Sequence, residues 1–145
     1  MKKVFLLCLA ALALNAGLQA QMLVGIRFFD GTFEQALEQA RKEDKLVFLD
    51  AYATWCGPCK AMSRNVFPQK EVGDFYNANF VNLKVDWEAS QASALRSRYS
   101  VRAFPTLMYL DAGGKRIGMV EGYHGVQDMI KVGETVLERA GKQRK

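Results

Sequence analysis

Leu46-Val47-Phe48-Leu49-Asp50-Ala51-Tyr52 and, three residues on, Trp55-Cys56-Gly57-Pro58-Cys59-Lys60 decide how the rest of the chain is read. The first run is almost continuously apolar, the pattern of a strand buried on both faces. From Lys60 onward the sequence suits a helix. Pro58 fits its first turn, where the N–H that proline lacks would have no partner. Cys56 therefore stands at a strand-to-helix junction, beside the positive end of a helix. Backbone N–H groups and the helix dipole stabilise an anion there, and the attacking form of a cysteine is the thiolate. The spacing lets the sulfurs of Cys56 and Cys59 meet across one turn and close a small disulfide ring.

Cys56, nearer the helix start, is the candidate nucleophile. Its thiolate attacks a substrate disulfide and forms a mixed disulfide; Cys59, the resolving thiol, then attacks Cys56 and releases the reduced substrate. Two plainer readings stand beside this. Half a zinc site would need further ligands to reach four, and the chain offers one distant histidine, His124. A structural disulfide closing so small a ring adds little constraint. Asp50 is the other candidate catalytic residue. A carboxylate in an apolar strand is costly unless neutralised or solvated. Desolvation raises its pKa and makes it a candidate proton acceptor for Cys59; the alternative is an aspartate capping the next turn.

Trp55 to Lys60 after a hydrophobic strand resembles the active site of the thioredoxin family. Asp50, six residues before Cys56, is similar to that family's buried aspartate. Phe104-Pro105-Thr106 resembles its cis-proline segment, and Gly122 falls where the family has a glycine after the last strand. The likeness runs from about residue 28 to about residue 140. Asn65-Val66-Phe67 and Phe80-Val81-Asn82-Leu83-Lys84-Val85-Asp86 are similar to secreted thioredoxin-like proteins and to the C-terminal domain of the bacterial transmembrane thiol:disulfide interchange protein.

The resemblance implies an α/β thioredoxin fold, a central mixed β-sheet flanked by helices on both faces. It implies that Pro105 is cis and that its loop faces the cysteines and presents the Phe104 backbone to an extended substrate, a form of strand addition. Read without it, Pro105 is an ordinary trans loop proline. Trp55 and Pro58 are then the apolar collar around the sulfurs, with plain core as the alternative for Trp55, and Gly57 joins them among the substrate-binding candidates. Thioredoxins place a lysine near the buried carboxylate, and the aligned position here is Asn82; Lys84, on the same strand face, is the candidate substitute. Gly-Pro between the cysteines resembles reductases, whereas strongly oxidising relatives carry a histidine there. The leading expectation is an exported protein-disulfide reductase acting on disulfide-containing proteins. An oxidase or isomerase of secreted proteins and a thioredoxin-fold binding module are the other readings. A reductase of this kind, lacking a nucleotide fingerprint, needs a membrane reductase as electron donor. No cofactor and no metal are expected, and the chain is expected to be a monomer.

The compartment is read from the start of the chain. Met1-Lys2-Lys3 precedes eleven apolar residues, Val4 to Leu14, and then Asn15-Ala16-Gly17-Leu18-Gln19-Ala20. That is the layout of a signal peptide, and the run is short for a membrane span of roughly 20 residues. A buried N-terminal helix is the alternative. Residues 1–20 are thus expected to be a signal peptide, 21–145 a thioredoxin-like domain, and the location periplasmic or secreted. Cleavage removes Cys8, leaving only Cys56 and Cys59, and lowers the net charge of +5 to about +3. Basic residues gather at Lys142, Arg144 and Lys145 as a solvated tail, with no interleaved aromatics, so no nucleic-acid binding is expected.

In chain order, Ile26 to Phe29 reads as a short strand. Thr32 with Gln35 reads as a capping box, opening a helix with Phe33, Ala36, Leu37 and Ala40 on one face. Pro68 stops the active-site helix, and 70–77 is a further turn or two. Phe80 to Asp86 alternates as a strand, and 88–99 reads as a helix with a weak apolar face. Strands 106–110 and 115–120 flank Asp111-Ala112-Gly113-Gly114, a hairpin turn. An amphipathic helix from Val126 closes the chain.

Overall fold

The computed structural model describes residues 24–143; the expected signal peptide and Cys8 lie outside them. Helix α1 (Phe33–Glu43) is opened by a capping box, in which the Thr32 hydroxyl accepts the Gln35 N–H and the Gln35 side chain accepts the Thr32 N–H. Phe33, Ala36, Leu37 and Ala40 form its buried face. The chain then enters β1 (Leu46–Tyr52), followed by α2 (Gly57–Asn65), α3 (Lys70–Asn79), β2 (Phe80–Asp86), α4 (Ser93–Arg98), β3 (Thr106–Leu110), β4 (Arg116–Glu121) and α5 (Val126–Gln143). Among the described residues no helix is long and apolar enough to cross a membrane.

The sheet order is β2-β1-β3-β4. β1 runs parallel to β2 and antiparallel to β3, and β3–β4 is an antiparallel hairpin, so the sheet is mixed. β1 is central, which explains its apolar run: alternate side chains serve opposite cores. Val47, Leu49 and Ala51 pack with α1, Leu95 of α4 and Tyr99. Leu46 and Phe48 pack with Met62, Val72 and Tyr76 and with Met129 and Val136 of α5. On that second side Tyr76 and Tyr109 are buried with their hydroxyls 2.7 Å apart, and the Tyr76 hydroxyl donates to the Met129 carbonyl.

Two expected elements come out differently. Ile26 to Phe29 is no strand but a single parallel bridge, Phe28 to Asn82. In it the Phe29 N–H donates to the Asn82 carbonyl along the strand edge. Further back, side chains replace the ladder: Asn77 accepts the Arg27 N–H and donates to the Gly25 carbonyl. The stretch 88–99 is not one helix. An Asp86 turn accepts the Glu88 and Ala89 N–H groups, and Arg96 donates to the Trp87 and Ala89 carbonyls. With those groups already satisfied, the chain makes a 3₁₀ turn at Ser90–Ala92 before the six-residue α4. The helix after Pro68 is longer than expected, reaching Asn79.

Candidate active site

β1 ends at Tyr52, and four residues later Cys56 is the N-cap of α2, with extended backbone angles (φ −70°, ψ 111°). Its Sγ accepts the Cys59 backbone N–H at 3.2 Å, and its carbonyl accepts the Lys60 N–H. Pro58 lies in the first turn, where no amide hydrogen is needed. The helix therefore begins at Gly57, earlier than Lys60. Cys56 and Cys59 are joined, S–S 2.12 Å, with Cα atoms 5.3 Å apart. Both are buried among Ala53, Tyr52 and Phe104, while Gly57 and Pro58 are exposed. A first-turn sulfur receiving a backbone N–H is held where an anion is favoured.

Asp50 lies on the same strand, 1 % exposed. It is in register with Lys84 on β2 and Leu107 on β3. The Lys84 ammonium donates to Asp50 Oδ2 at 2.7 Å and to Ser63 Oγ at 3.0 Å, and it lies 4.6 Å from the centre of the Tyr52 ring. Asp50 Oδ1 has no hydrogen-bond partner. Burial pushes the Asp50 carboxyl above its ordinary value, and the Lys84 charge and hydrogen bond only partly oppose that. Asn82, at the position aligned with the thioredoxin lysine, is buried and faces Asn77 and the Arg27 carbonyl instead.

The remaining residues come from separate loops. The Phe104–Pro105 peptide is cis, and the Pro105 carbonyl accepts the N–H of Gly122, which has φ +85°, an angle that favours glycine. Phe104 packs against the cysteine cluster and stands edge-to-face with Trp55, ring centres 5.9 Å apart. Trp55 is 66 % exposed, and its indole N–H donates to Glu88 at 2.8 Å. The structure thus brings Cys56, Cys59 and Phe104 into one cluster, with Trp55 against Phe104. Gly57 and Pro58 lie between the cysteines in sequence, Pro105 is buried next to Phe104, and Asp50 is buried on β1 two residues before Tyr52, which packs on that cluster. Ser63 and Glu88 are additions. Ser63 could have been noticed by its place four residues after Cys59, on one helix face; nothing local marks Glu88. Among the described residues no group of three or more His, Cys, Asp and Glu could hold a metal ion.

Comparison with known proteins fits this geometry. The family model for the thioredoxin-like domain matches residues 33–137. The chain belongs to the thioredoxin-like family. As a thioredoxin-like oxidoreductase it carries its Cys-x-x-Cys pair at disulfide distance. It is 34 % identical over 118 residues to Thioredoxin-1 of Caenorhabditis elegans, covering 81 % of this chain and 91 % of that one. It is 44 % identical over 68 residues to Thioredoxin-1 of Drosophila melanogaster, covering 47 % of this thioredoxin-like chain and 59 % of the fly protein's length. Among solved structures it is similar to a Bacteroides thetaiotaomicron protein provisionally named a disulphide-isomerase (38 % identity, TM-score 0.71, covering 81 % of this chain and 97 % of that one). It is also similar to the C-terminal domain of Neisseria meningitidis DsbD in its oxidised form (27 % identity, TM-score 0.61, covering 75 % and 98 %).

Proposed function

We propose that this thioredoxin-like protein is an exported protein-disulfide reductase. The observation that carries the reading is the position of Cys56: its sulfur caps a helix, receives the Cys59 N–H and is bonded to the Cys59 sulfur. In the reduced form the Cys56 thiolate attacks one sulfur of a substrate disulfide, and the other substrate sulfur leaves as a thiolate. Cys59 gives its proton to Asp50 and attacks Cys56, which frees the second substrate thiol and oxidises the pair by two electrons. Trp55, Gly57, Pro58 and the Phe104–Pro105 loop receive the polypeptide around the disulfide.

Export is supported by the basic n-region and apolar run of Lys2 to Leu14. A membrane reductase as electron donor is supported by the likeness to the DsbD C-terminal domain. Disulfide isomerisation is a second reading, favoured by the provisional name of the Bacteroides relative; it uses the same first step and ends without net reduction.

The test uses two variants. Cys59→Ser, which can attack but not resolve, should accumulate a mixed disulfide with insulin that dithiothreitol releases, and Cys56→Ser should accumulate none. Equal capture by both variants, or insulin reduction by Cys56→Ser at the wild-type rate, would overturn the assignment.

A further inference from the structure

A cleft of about 300 Å³ opens beside the buried cysteine, lined by Tyr52, Cys59, Lys60, Ser63, Arg64 and Lys84. Lys84, the hydrogen-bond partner of Asp50, forms part of its wall. Asp50 itself is sealed from water, whereas the Lys84 side chain is 26 % exposed. The ammonium therefore has a choice. It can lie inward on Asp50 or turn outward to water, and water solvates an ammonium well. Of its three hydrogens, one goes to Asp50 and one to the Ser63 hydroxyl. Ser63 stands one helical turn beyond Cys59, on the wall of the same cleft.

We propose that Ser63 is a positioning residue for the resolving step, its hydroxyl holding the Lys84 ammonium inward against Asp50 in the cleft that Cys59 lines. The inference rests on the reading of Cys59 as the resolving thiol and Asp50 as its proton acceptor. In that step the Cys59 S–H proton passes to the Asp50 carboxylate. The new thiolate forms the Cys56–Cys59 bond as the bond from Cys56 to the substrate sulfur breaks, and the departing thiolate takes a proton from solvent. Asp50 can accept only while ionised, and its charge is favoured by Lys84 alone. The other titratable groups lining the cleft are Tyr52 at the end of β1 and Lys60 and Arg64 on α2; Asp86, at the end of β2, acts with Asp50 on Tyr52, and β3 sets Leu107 opposite Asp50. Without the Ser63 acceptor, Lys84 spends more time in water, and Asp50 holds its proton to higher pH.

The reduced full chain carrying Cys8→Ser, so that Cys56 and Cys59 are its only thiols, is mixed with Ellman's reagent, an aromatic disulfide; Ser63→Ala, Ser63→Thr and Cys59→Ser are made in the same background. The first thionitrobenzoate is released by Cys56 and the second by the unimolecular attack of Cys59, which reads the resolving step alone. In Ser63→Ala the rising limb of the second phase is expected to move up by about half a pH unit, or about threefold in rate at fixed pH on that limb. Ser63→Thr, which restores a hydroxyl, should return it to the wild-type position. A Ser63→Ala limb superimposed on wild type overturns the proposal, as does a Ser63→Thr limb displaced as far as that of Ser63→Ala. A second first-order release that persists in Cys59→Ser would instead overturn the resolving role on which the proposal rests.

Discussion

Lys84→Met tests the buried pair most sharply. Methionine keeps an apolar stem beside the Tyr52, Phe28 and Phe67 rings, which lie within 5.6 Å of the ammonium, so the change is chiefly one of charge. Breaking a fully buried pair costs about 3–5 kcal/mol and an exposed one less than about 1 kcal/mol. Asp50 is buried and Lys84 about a quarter exposed, so the expected loss is about 2 kcal/mol where Asp50 is ionised. The pH dependence has a definite sign. Burial raises the folded carboxyl above its unfolded value, so the folded state binds the proton more tightly. The contribution of Asp50 to stability is then fully present in acid and is lost as pH rises through the folded value. Losing Lys84 raises that value further and extends the fall to higher pH. In acid, with Asp50 protonated in both proteins, the penalty should nearly vanish. The assay is urea unfolding of the oxidised proteins at mildly acid and mildly alkaline pH. A penalty of equal size at both would refute the reasoning, because it would show that Lys84 matters through packing and not through the Asp50 charge.

Other outcomes follow from single contacts. Trp55→Ala should leave stability within about 0.5 kcal/mol, since the ring is mostly exposed, yet raise KM for insulin about tenfold by removing an aromatic anchor. Steady-state kinetics beside thermal unfolding would check both halves, and an unchanged KM would remove Trp55 from the substrate surface. Gly73→Ala should cost about 1–3 kcal/mol in urea unfolding, because its new Cβ would fall 2.3 Å from the Gly25 carbonyl carbon, where the chain crosses α3. Full stability there would mean that this crossing is not tightly packed.

Much of this was legible before the structure because the signals are local. The apolar run of β1, the Thr32–Gln35 capping box and the Cys-Gly-Pro-Cys turn each act within a few residues. Elements whose fate depends on distant partners were not legible. The strand expected at Ile26–Phe29 shrinks to one bridge because Asn77, fifty residues on, takes the Arg27 N–H. The helix expected at 88–99 starts late because Asp86 and Arg96 satisfy the backbone of its first turn. At the site, the strand pattern suggested Lys84 as a partner for Asp50, and parallel register sets the two directly opposite. The third member, Ser63, needed the packing of α2 over β2 to be seen. The Trp55–Glu88 hydrogen bond joins loops thirty-three residues apart and left no pattern in the sequence.

The reductase reading is tested most directly by the equilibrium of the Cys56–Cys59 pair in glutathione redox buffers. A reductase should show a potential near that of thioredoxin, about −270 mV, at which the reduced pair donates electrons to protein disulfides and must be recharged. A value near −120 mV, typical of a strong disulfide donor, would contradict it and reverse the direction of the reaction.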